Sequence, residues 1–397
     1  MNRTNTRQFE FIALMASLMS VVALAIDALL PALDMIGISI GTREANDNQL
    51  IISMIFLGLG SGPLVFGPLS DSLGRKPIVY MGFVIFIIAS IICVNSNSLS
   101  MMIFGRILQG IGLSAPRTIS IAMVRDTYSG DYMARIMSFV TVIFLLVPIM
   151  APAMGKFILN HYNWHAIFYS QLVMSIVVMG WFWKRQPETL PEKRRIRFSW
   201  HLFMDGLKEI MHYKATIGFT FISGFISGSF IVYLSASQQI FQQQYHLAEE
   251  FPFIFAGLAI AIGTATFLNG TFVLKFGMRK LVSVNLTAYF IISLLYVVLF
   301  YGKANPPIGI LLTFFALQFF TIGFLFGNLR ALAMQPVGHI AGIGAAITGF
   351  VSTIMSVPIS TFIGRFIGTT ALPVFIGFTI CSAISLLILF SLRKVPA

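Results

Sequence analysis

The sequence predicts an all-α integral membrane protein whose twelve transmembrane helices form two pseudo-symmetric six-helix bundles. Composition predicts the membrane. Hydrophobic residues make up 57% of the 397 positions and charged residues 10%, against roughly 45–50% and about 25% in soluble proteins. Such a chain has too little polar surface to face water on all sides. Hydropathy predicts the helices. Apolar runs of about 18–25 residues recur along the chain, the length that crosses about 30 Å of hydrocarbon. They are continuous rather than alternating, which selects helices over a barrel. A basic, proline-bearing stretch divides the runs six and six.

The spans are expected at 9–33, 47–69, 77–95, 100–123, 135–158 and 165–184, then at 215–241, 251–275, 280–302, 307–330, 342–366 and 372–392. This gives a bundle over 1–184, a cytoplasmic linker over 185–214 and a bundle over 215–397. Met1 to Gln8 is a polar tail before a full-length span that holds an acid, so it is not read as a cleavable signal peptide. Lys and Arg set the orientation. With the N-terminus inside, the inner side holds Arg3, Arg7, Arg75, Lys76, Arg125, Arg135, the block from Lys184 to Lys214, Lys275, Arg279, Lys280, Arg393 and Lys394. The outer side holds Arg43, Lys303 and, near helix ends, Lys156 and Arg365. Both termini are then cytoplasmic.

The linker carries Pro187, Pro191 and the cluster Lys193, Arg194, Arg195, Arg197, which anionic lipid is expected to anchor. Trp200, Phe203, Met204, Leu207, Ile210 and Met211 follow at helical spacing, as in an amphipathic helix on the inner leaflet.

The same inventory excludes several classes. Cys93 and Cys381 both sit in apolar runs, so no Cys-x-x-Cys metal or redox site exists. His161 and His165 stand four apart, but without a nearby acid, and no metal is expected there. No phosphate-binding Gly-x-x-x-x-Gly-Lys-Ser/Thr loop is present, so ATP is not the energy source. No nucleophile–base or paired-carboxylate constellation suggests an enzyme. The net charge of +12 is read as basic cytoplasmic loops, not as a nucleic-acid surface.

The halves repeat. Gly67, Gly74 and Lys76 after the second span have counterparts in Gly270, Gly277 and Arg279 after the eighth, and Gly110 and Arg117 in Gly323 and Arg330. Duplicated units place a ligand site near the bilayer midplane. The loop Gly67-Pro68-Leu69-Ser70-Asp71-Ser72-Leu73-Gly74-Arg75-Lys76-Pro77 resembles the signature loop of the major facilitator superfamily. Ile26-Asp27-Ala28-Leu29-Leu30-Pro31, Gly105-Arg106-Ile107-Leu108-Gln109-Gly110, Val124-Arg125-Asp126 and Val147-Pro148-Ile149-Met150-Ala151-Pro152-Ala153-Met154-Gly155 resemble its bicyclomycin-resistance (Bcr/CflA-like) branch of proton-coupled drug exporters. Four positions depart from these patterns. They are Lys156, Ala28-Leu29 after the Asp, and Leu274 where a complete second signature loop holds an acid.

Asp27 is the only acid well inside a span. Intramembrane ionisable groups are costly and mark ion or substrate pathways. The resemblance implies that Asp27 is the proton site, and the alternative is a helix-packing Asp. Arg106 lies at similar depth on the fourth span and is the expected partner of Asp27, either as a coupled switch or as a static ion pair. Gln109 shares its face and is expected to hydrogen-bond Asp27 or ligand. Arg117 is eleven residues on, within about 20° of the same face. Arg117 and Arg330 line the cavity or snorkel to the inner surface. Tyr233, Gln238, Gln239, Asn269, Gln318 and Asn328 are further pocket candidates. By resemblance, Asp71 and Arg125, with Arg75, form a cytoplasmic gate network, and Pro148, Pro152 and Gly155 form the antiporter motif.

These observations predict proton-coupled efflux of small amphiphiles by alternating access, from a monomer in the bacterial inner membrane. The expected partners are substrate, protons and membrane lipids, with no nucleic acid and no cofactor beyond the proton gradient. One alternative is a dedicated exporter of an endogenous, anionic metabolite such as a siderophore. The other is a non-transporting membrane receptor.

Overall fold

The computed structural model describes residues 3–196 and 200–392. Arg197, Arg393 and Lys394, counted above among the inner cations, lie outside the described residues, as do the side chains of Arg3, Arg7, Trp200 and Phe203. The described chain is helical. Its first half holds α1 (Arg3–Asp27), α2 (Leu33–Ser39), α3 (Gln49–Leu73), α4 (Arg75–Val94), α5 (Leu99–Thr127), α6 (Gly130–His161) and α7 (Trp164–Arg185). After the linker come α8 (Trp200–His212), α9 (Lys214–Gln238), α10 (Phe251–Phe276), α11 (Met278–Phe300), α12 (Ile308–Met334), α13 (Ala341–Gly364) and α14 (Leu372–Ser391).

Among the described residues, eleven continuous stretches are long and apolar enough to span a membrane. One, Ile308–Gly364, contains both α12 and α13. The expected twelve spans are therefore present. The division of that stretch falls at Gln335–Ile340, where Pro336 has no N–H and Val337 leaves helical geometry (φ −109°, ψ 25°). Short polar caps start other helices. Ser98 accepts from Met101 N at 3.3 Å and Asn163 from Ala166 N at 3.2 Å. The turn before Trp164 also separates His161 on α6 from His165 on α7, so their four-residue spacing never becomes one helical face.

The chain divides into two compact units, one of residues 1–43 and 54–199, the other of 44–53 and 200–397. In the first, α1 packs on α5, α6 and α7, and α4 on α5 and α7. Lipid offers no hydrophobic drive for helix association, so close backbone approach matters. Gly58 of α3 and Gly110 of α5 provide it. A Cβ on Gly58 would strike Ile107 O, and one on Gly110 would strike Ile55 O.

In the second unit α9 packs on α12, α13 and α14, and α11 on α12 and α14. Aromatic side chains fill it, with Tyr233 and Phe319 centroids 4.5 Å apart and Tyr296 stacked on Phe375 at 3.7 Å. The amphipathic helix departs from its expected role. Leu207 and Ile210 of α8 pack against Val337, Ile343 and Ile347 of the same unit. Those two residues of its apolar face therefore cover protein rather than the leaflet, while Met211 stays exposed. Glu209 pairs there with His339.

Gly110→Ala should destabilise the first unit, because its Cβ has only main chain to displace. Overpacking of this kind costs about 1–3 kcal/mol. The expected outcome is a lowered thermal midpoint in detergent, and Gly180→Ala, which meets open space, is the control that should not move it.

Candidate functional site

The first span is not one helix. α1 ends at Asp27, a turn follows, and Leu30–Ala32 forms a single 3-10 turn around Pro31 before α2. A helix end leaves its last carbonyls without intrahelical donors. Ala28 N still reaches Leu24 O at 3.3 Å. The next carbonyl, Ala25 O, accepts from Arg106 Nη1 at 3.0 Å. Arg106 is fully buried and is itself fixed by Gln109, whose Oε1 accepts from Nη1 at 2.7 Å. Gln109 Nε2 donates onward to Ser90 Oγ at 2.7 Å. A buried polar chain thus runs from the break in the first span through α5 to α4.

Asp27 sits at the break and is 5% exposed. Among the described residues its carboxylate makes no hydrogen bond or ion pair. This corrects two expectations. Arg106 is not its partner in this structure, because its Nη1 serves the main chain two residues away. Gln109 does not reach Asp27 either, because Arg106 and Ser90 engage both ends of its amide. On the other side of the break, Gly155 of α6 lies against Ala28, and any Cβ there would collide with Ala28 O. α6 runs unbroken through Pro148 and Pro152 to make that contact.

At the far end of the unit, Arg75 is the centre of a charge network. It is 3% exposed. Its Nη1 donates to Asp71 Oδ1 at 2.6 Å and to Ser70 Oγ at 2.7 Å, and its Nε donates to Asp126 Oδ2 at 2.8 Å. The predicted Arg125 is exposed and takes no part. One residue along a helix is a 100° turn, so Asp126 faces Arg75 while Arg125 faces away.

The linker completes the network. Thr189 Oγ1 donates to Asp126 Oδ2 at 3.2 Å. Glu188 Oε1 accepts from Arg75 N, Thr189 N and Leu190 N at 2.9–3.0 Å, and its Oε2 from Lys76 N at 3.0 Å. A carboxylate on the first N–H groups of α4 satisfies donors the helix cannot and meets the positive end of its dipole. Asp126 and Glu188 were missed, although Asp126 is part of the quoted Val124-Arg125-Asp126 and Glu188 is one of only two acids in the linker before Asp205.

The pocket candidates separate. On the first unit, Arg117 is half-buried on α5. On the second, Asn328 Nδ2 donates to Asn269 Oδ1 at 2.7 Å, which brings α12 and α10 together. Tyr233 is buried among Phe255, Phe315 and Phe319. Gln318 is fully buried and donates to Tyr289 O at 3.1 Å, so here it joins α12 to α11 rather than lining an open site. Gln238 donates to Gln242 at 3.2 Å, and Arg330 is exposed. The pocket candidate Gln239 instead joins an amide cluster with Gln49, which the sequence reading did not single out. Gln49, on the first turn of α3, donates to Gln239 Oε1 at 2.9 Å and to Gly364 O at 3.4 Å. Gln239 opens a π-helical turn over Gln239–Gln244. Among the described residues no group of three or more His, Cys, Asp or Glu side chains is placed to hold a metal.

Residues 11–358 match the Major Facilitator Superfamily. The chain belongs to that superfamily. It is similar to the "Bicyclomycin resistance protein homolog" of Haemophilus influenzae, 25% identical over 388 residues that cover 97% of this chain and 96% of that protein. It is also 25% identical to the "Multidrug resistance protein MdtL" of Salmonella paratyphi A, over 92% of this chain and 91% of that one. These relatives place it in the bicyclomycin-resistance-like branch of the superfamily. A crystal structure of the nucleoside transporter NupG superposes with a TM-score of 0.76 at 13% identity, over 98% of this chain and 100% of that one. A D-xylose–proton symporter does so at 0.74 and 16%, covering 98% of each. At such identities the likeness is one of fold. The protein is a multi-pass membrane transporter of this superfamily.

Asp126→Asn should weaken the transporter's network around Arg75, while Arg125→Gln should leave it intact. Hydrogen bonds to charged groups contribute about 1.5–3 kcal/mol. A clear drop in thermal midpoint for the first variant and none for the second is the expected result. Equal effects would return Arg125 to the network.

Proposed function

We propose that this transporter is a proton-coupled exporter of small amphiphilic compounds, with Asp27 as the site that takes up and releases the transported proton. One observation carries the reading. Asp27 is a nearly buried carboxyl with no ion-pair partner, placed where the first span breaks. Buried ionisable groups in membranes are retained for function. The names of the relatives, bicyclomycin and multidrug resistance, support the direction and the substrate class.

The surroundings couple charge at Asp27 to shape. Ala25 is held by Arg106 and Ala28 by Gly155, so the break is pinned on both sides of the carboxyl. A carboxylate here would attract the Arg106 guanidinium away from Ala25 O, and a neutral carboxyl leaves it in place. Protonation and substrate binding then favour different arrangements of the same break, the requirement for exchange. The Arg75–Asp71–Asp126 network serves as the cytoplasmic latch, since charge pairs near a rim can hold one of two states. The transporter works as a monomer in the bacterial inner membrane with both termini in the cytoplasm, as the positive-inside distribution supports. It uses the proton gradient and no cofactor.

A second reading is export of one endogenous anionic metabolite such as a siderophore. Charge favours it, because Arg106 and Arg117 on α5 and Arg330 on α12 stand against one acid well inside a span, Asp27.

Purified protein in weak buffer should release protons when a cationic or neutral amphiphile is added, and Asp27→Asn should release none. In proteoliposomes, export driven by an imposed pH gradient should fall at least tenfold in Asp27→Asn, while substrate exchange at equal pH persists. Proton release that survives in Asp27→Asn would move the proton site elsewhere. Release elicited by anionic compounds alone would select the metabolite reading, and binding without transport would select a receptor.

A further inference from the structure

Asp27 is not alone at the break in lacking a partner. Gln171 of α7, a helix packed against α1, is fully buried, and among the described residues its side-chain oxygen takes no hydrogen bond. The amide cannot simply turn that oxygen elsewhere. Its Nε2 donates to Leu24 O at 3.5 Å, and exchanging the two ends would set one oxygen against another. A buried acceptor without a donor is costly in a protein interior, and more so in hydrocarbon.

The bond to Leu24 O locates the amide. Side chains three and four positions on lie nearest a helical carbonyl, which is why serine and threonine bond back to i−3 and i−4. For Leu24 O those positions are Asp27 and Ala28. The backbone is still helical there, since Ala28 N reaches the same oxygen at 3.3 Å. Ala28 offers only a methyl group, so Asp27 is the polar side chain beside the Gln171 amide. Other donors are committed. The hydroxyls of Ser20, Ser170 and Ser175 each bond a carbonyl of their own helix. α7 carries no charged side chain between His165 and Lys184. The charges that other elements bring to the break are Arg106 at Ala25 O, Lys156 beside Gly155 on α6, and Asp34 in α2.

A carboxylate and an amide oxygen are both acceptors and cannot bond each other. A protonated carboxyl is a donor. We propose, resting on the reading of Asp27 as the proton site, that Gln171 positions the transported proton: protonated Asp27 donates to Gln171 Oε1, and that bond is lost when the proton leaves. Asp27 then stands between two side chains of opposite character, each bound to a carbonyl at the end of α1. Arg106, at Ala25 O, has only donors to offer and suits the carboxylate. Gln171, at Leu24 O, has an acceptor to spare and suits the acid. Loss of the proton exchanges a hydrogen bond at one carbonyl for an attraction at the next.

Infrared difference spectroscopy of the purified full-length protein reads the protonated carboxyl directly. A pH step should change a carboxyl C=O band that Asp27→Asn removes. In the wild type this band should lie at the lower frequency of a hydrogen-bonded acid, and in Gln171→Leu it should move up to that of a free one. A hydrogen bond of ordinary net strength changes an equilibrium about fivefold. Gln171 bonds only the neutral form, so Gln171→Leu should need about fivefold more protons to bring the band to half intensity. A purely structural role at Leu24 O would lower stability and move neither the band nor its titration. An Asp27 band that keeps both its frequency and its midpoint in Gln171→Leu overturns the proposal and leaves Asp27 as the proton site. If Asp27→Asn removes no band, the proton-site reading fails and this proposal fails with it. Should Gln171→Leu not fold, the wild-type band decides. The frequency of a hydrogen-bonded acid supports the assignment, and that of a carboxyl without an acceptor overturns it.

Discussion

A carbonyl that loses its helical donor inside hydrocarbon needs another, and Arg106 supplies the one at Ala25 O. The break in the first span depends on that bond. Without it, ending α1 at Asp27 would leave a polar group unsatisfied in lipid, at a cost of several kcal/mol. With it, the negative end of the α1 dipole also meets a permanent cation. The guanidinium is held in turn by Gln109 and Ser90, so the break in α1 is supported from α4 through α5. Asp27 gains its position from this arrangement. It sits at a helix end that other residues stabilise, and its own carboxyl is left uncommitted. A proton site requires such a group, because a carboxylate locked in a permanent ion pair has little reason to change state.

The close contact at Gly155 acts on the same few residues. A helix pinned against Ala28 O by a residue without a side chain can shift relative to that carbonyl with little to disentangle. The break is thus tightly packed but not interlocked by large side chains. Rigid bundles need some element whose two arrangements lie close in free energy, and a broken helix with a backbone-only neighbour is such an element. The resemblance assigns the proline–glycine motif of α6 to antiport. The structure adds the observation that its glycine touches the residue next to the ionisable one.

Much of this was legible in the sequence, and what was not has physical reasons. Twelve spans follow from hydropathy, because lipid demands about twenty apolar residues whatever the tertiary fold. Depth along neighbouring spans brought Arg106 to the level of Asp27. It could not show that the arginine prefers a carbonyl to the carboxylate, since the break that frees Ala25 O depends on Pro31 and on packing from α6. Asp71 and Arg75 pair across the turn at Gly74, where α3 ends and α4 begins, so helical spacing does not encode the contact. Asp126 and Arg125 differ by a single 100° step, which decides which one faces Arg75. Glu188 and the Gln49–Gln239 pair join segments more than a hundred residues apart, and no local pattern encodes such contacts. The amphipathic pattern of α8 was read correctly as a helix with one greasy face. What covers Leu207 and Ile210 of that face is a tertiary question, and the segment around Val337 answers it.

The repeat makes the remaining contrast informative. Both halves end their second helix at a glycine with positive φ, and both present helix-start N–H groups and basic side chains there. The first half neutralises them from within, with Asp71, Asp126 and Glu188. Pairs of that kind can be exchanged when the protein changes conformation, because both members move with the chain. The second half carries Lys275, Arg279 and Lys280 around the same turn, and no Asp or Glu follows Glu250 in the sequence. An internal network of the first half's kind suits a latch.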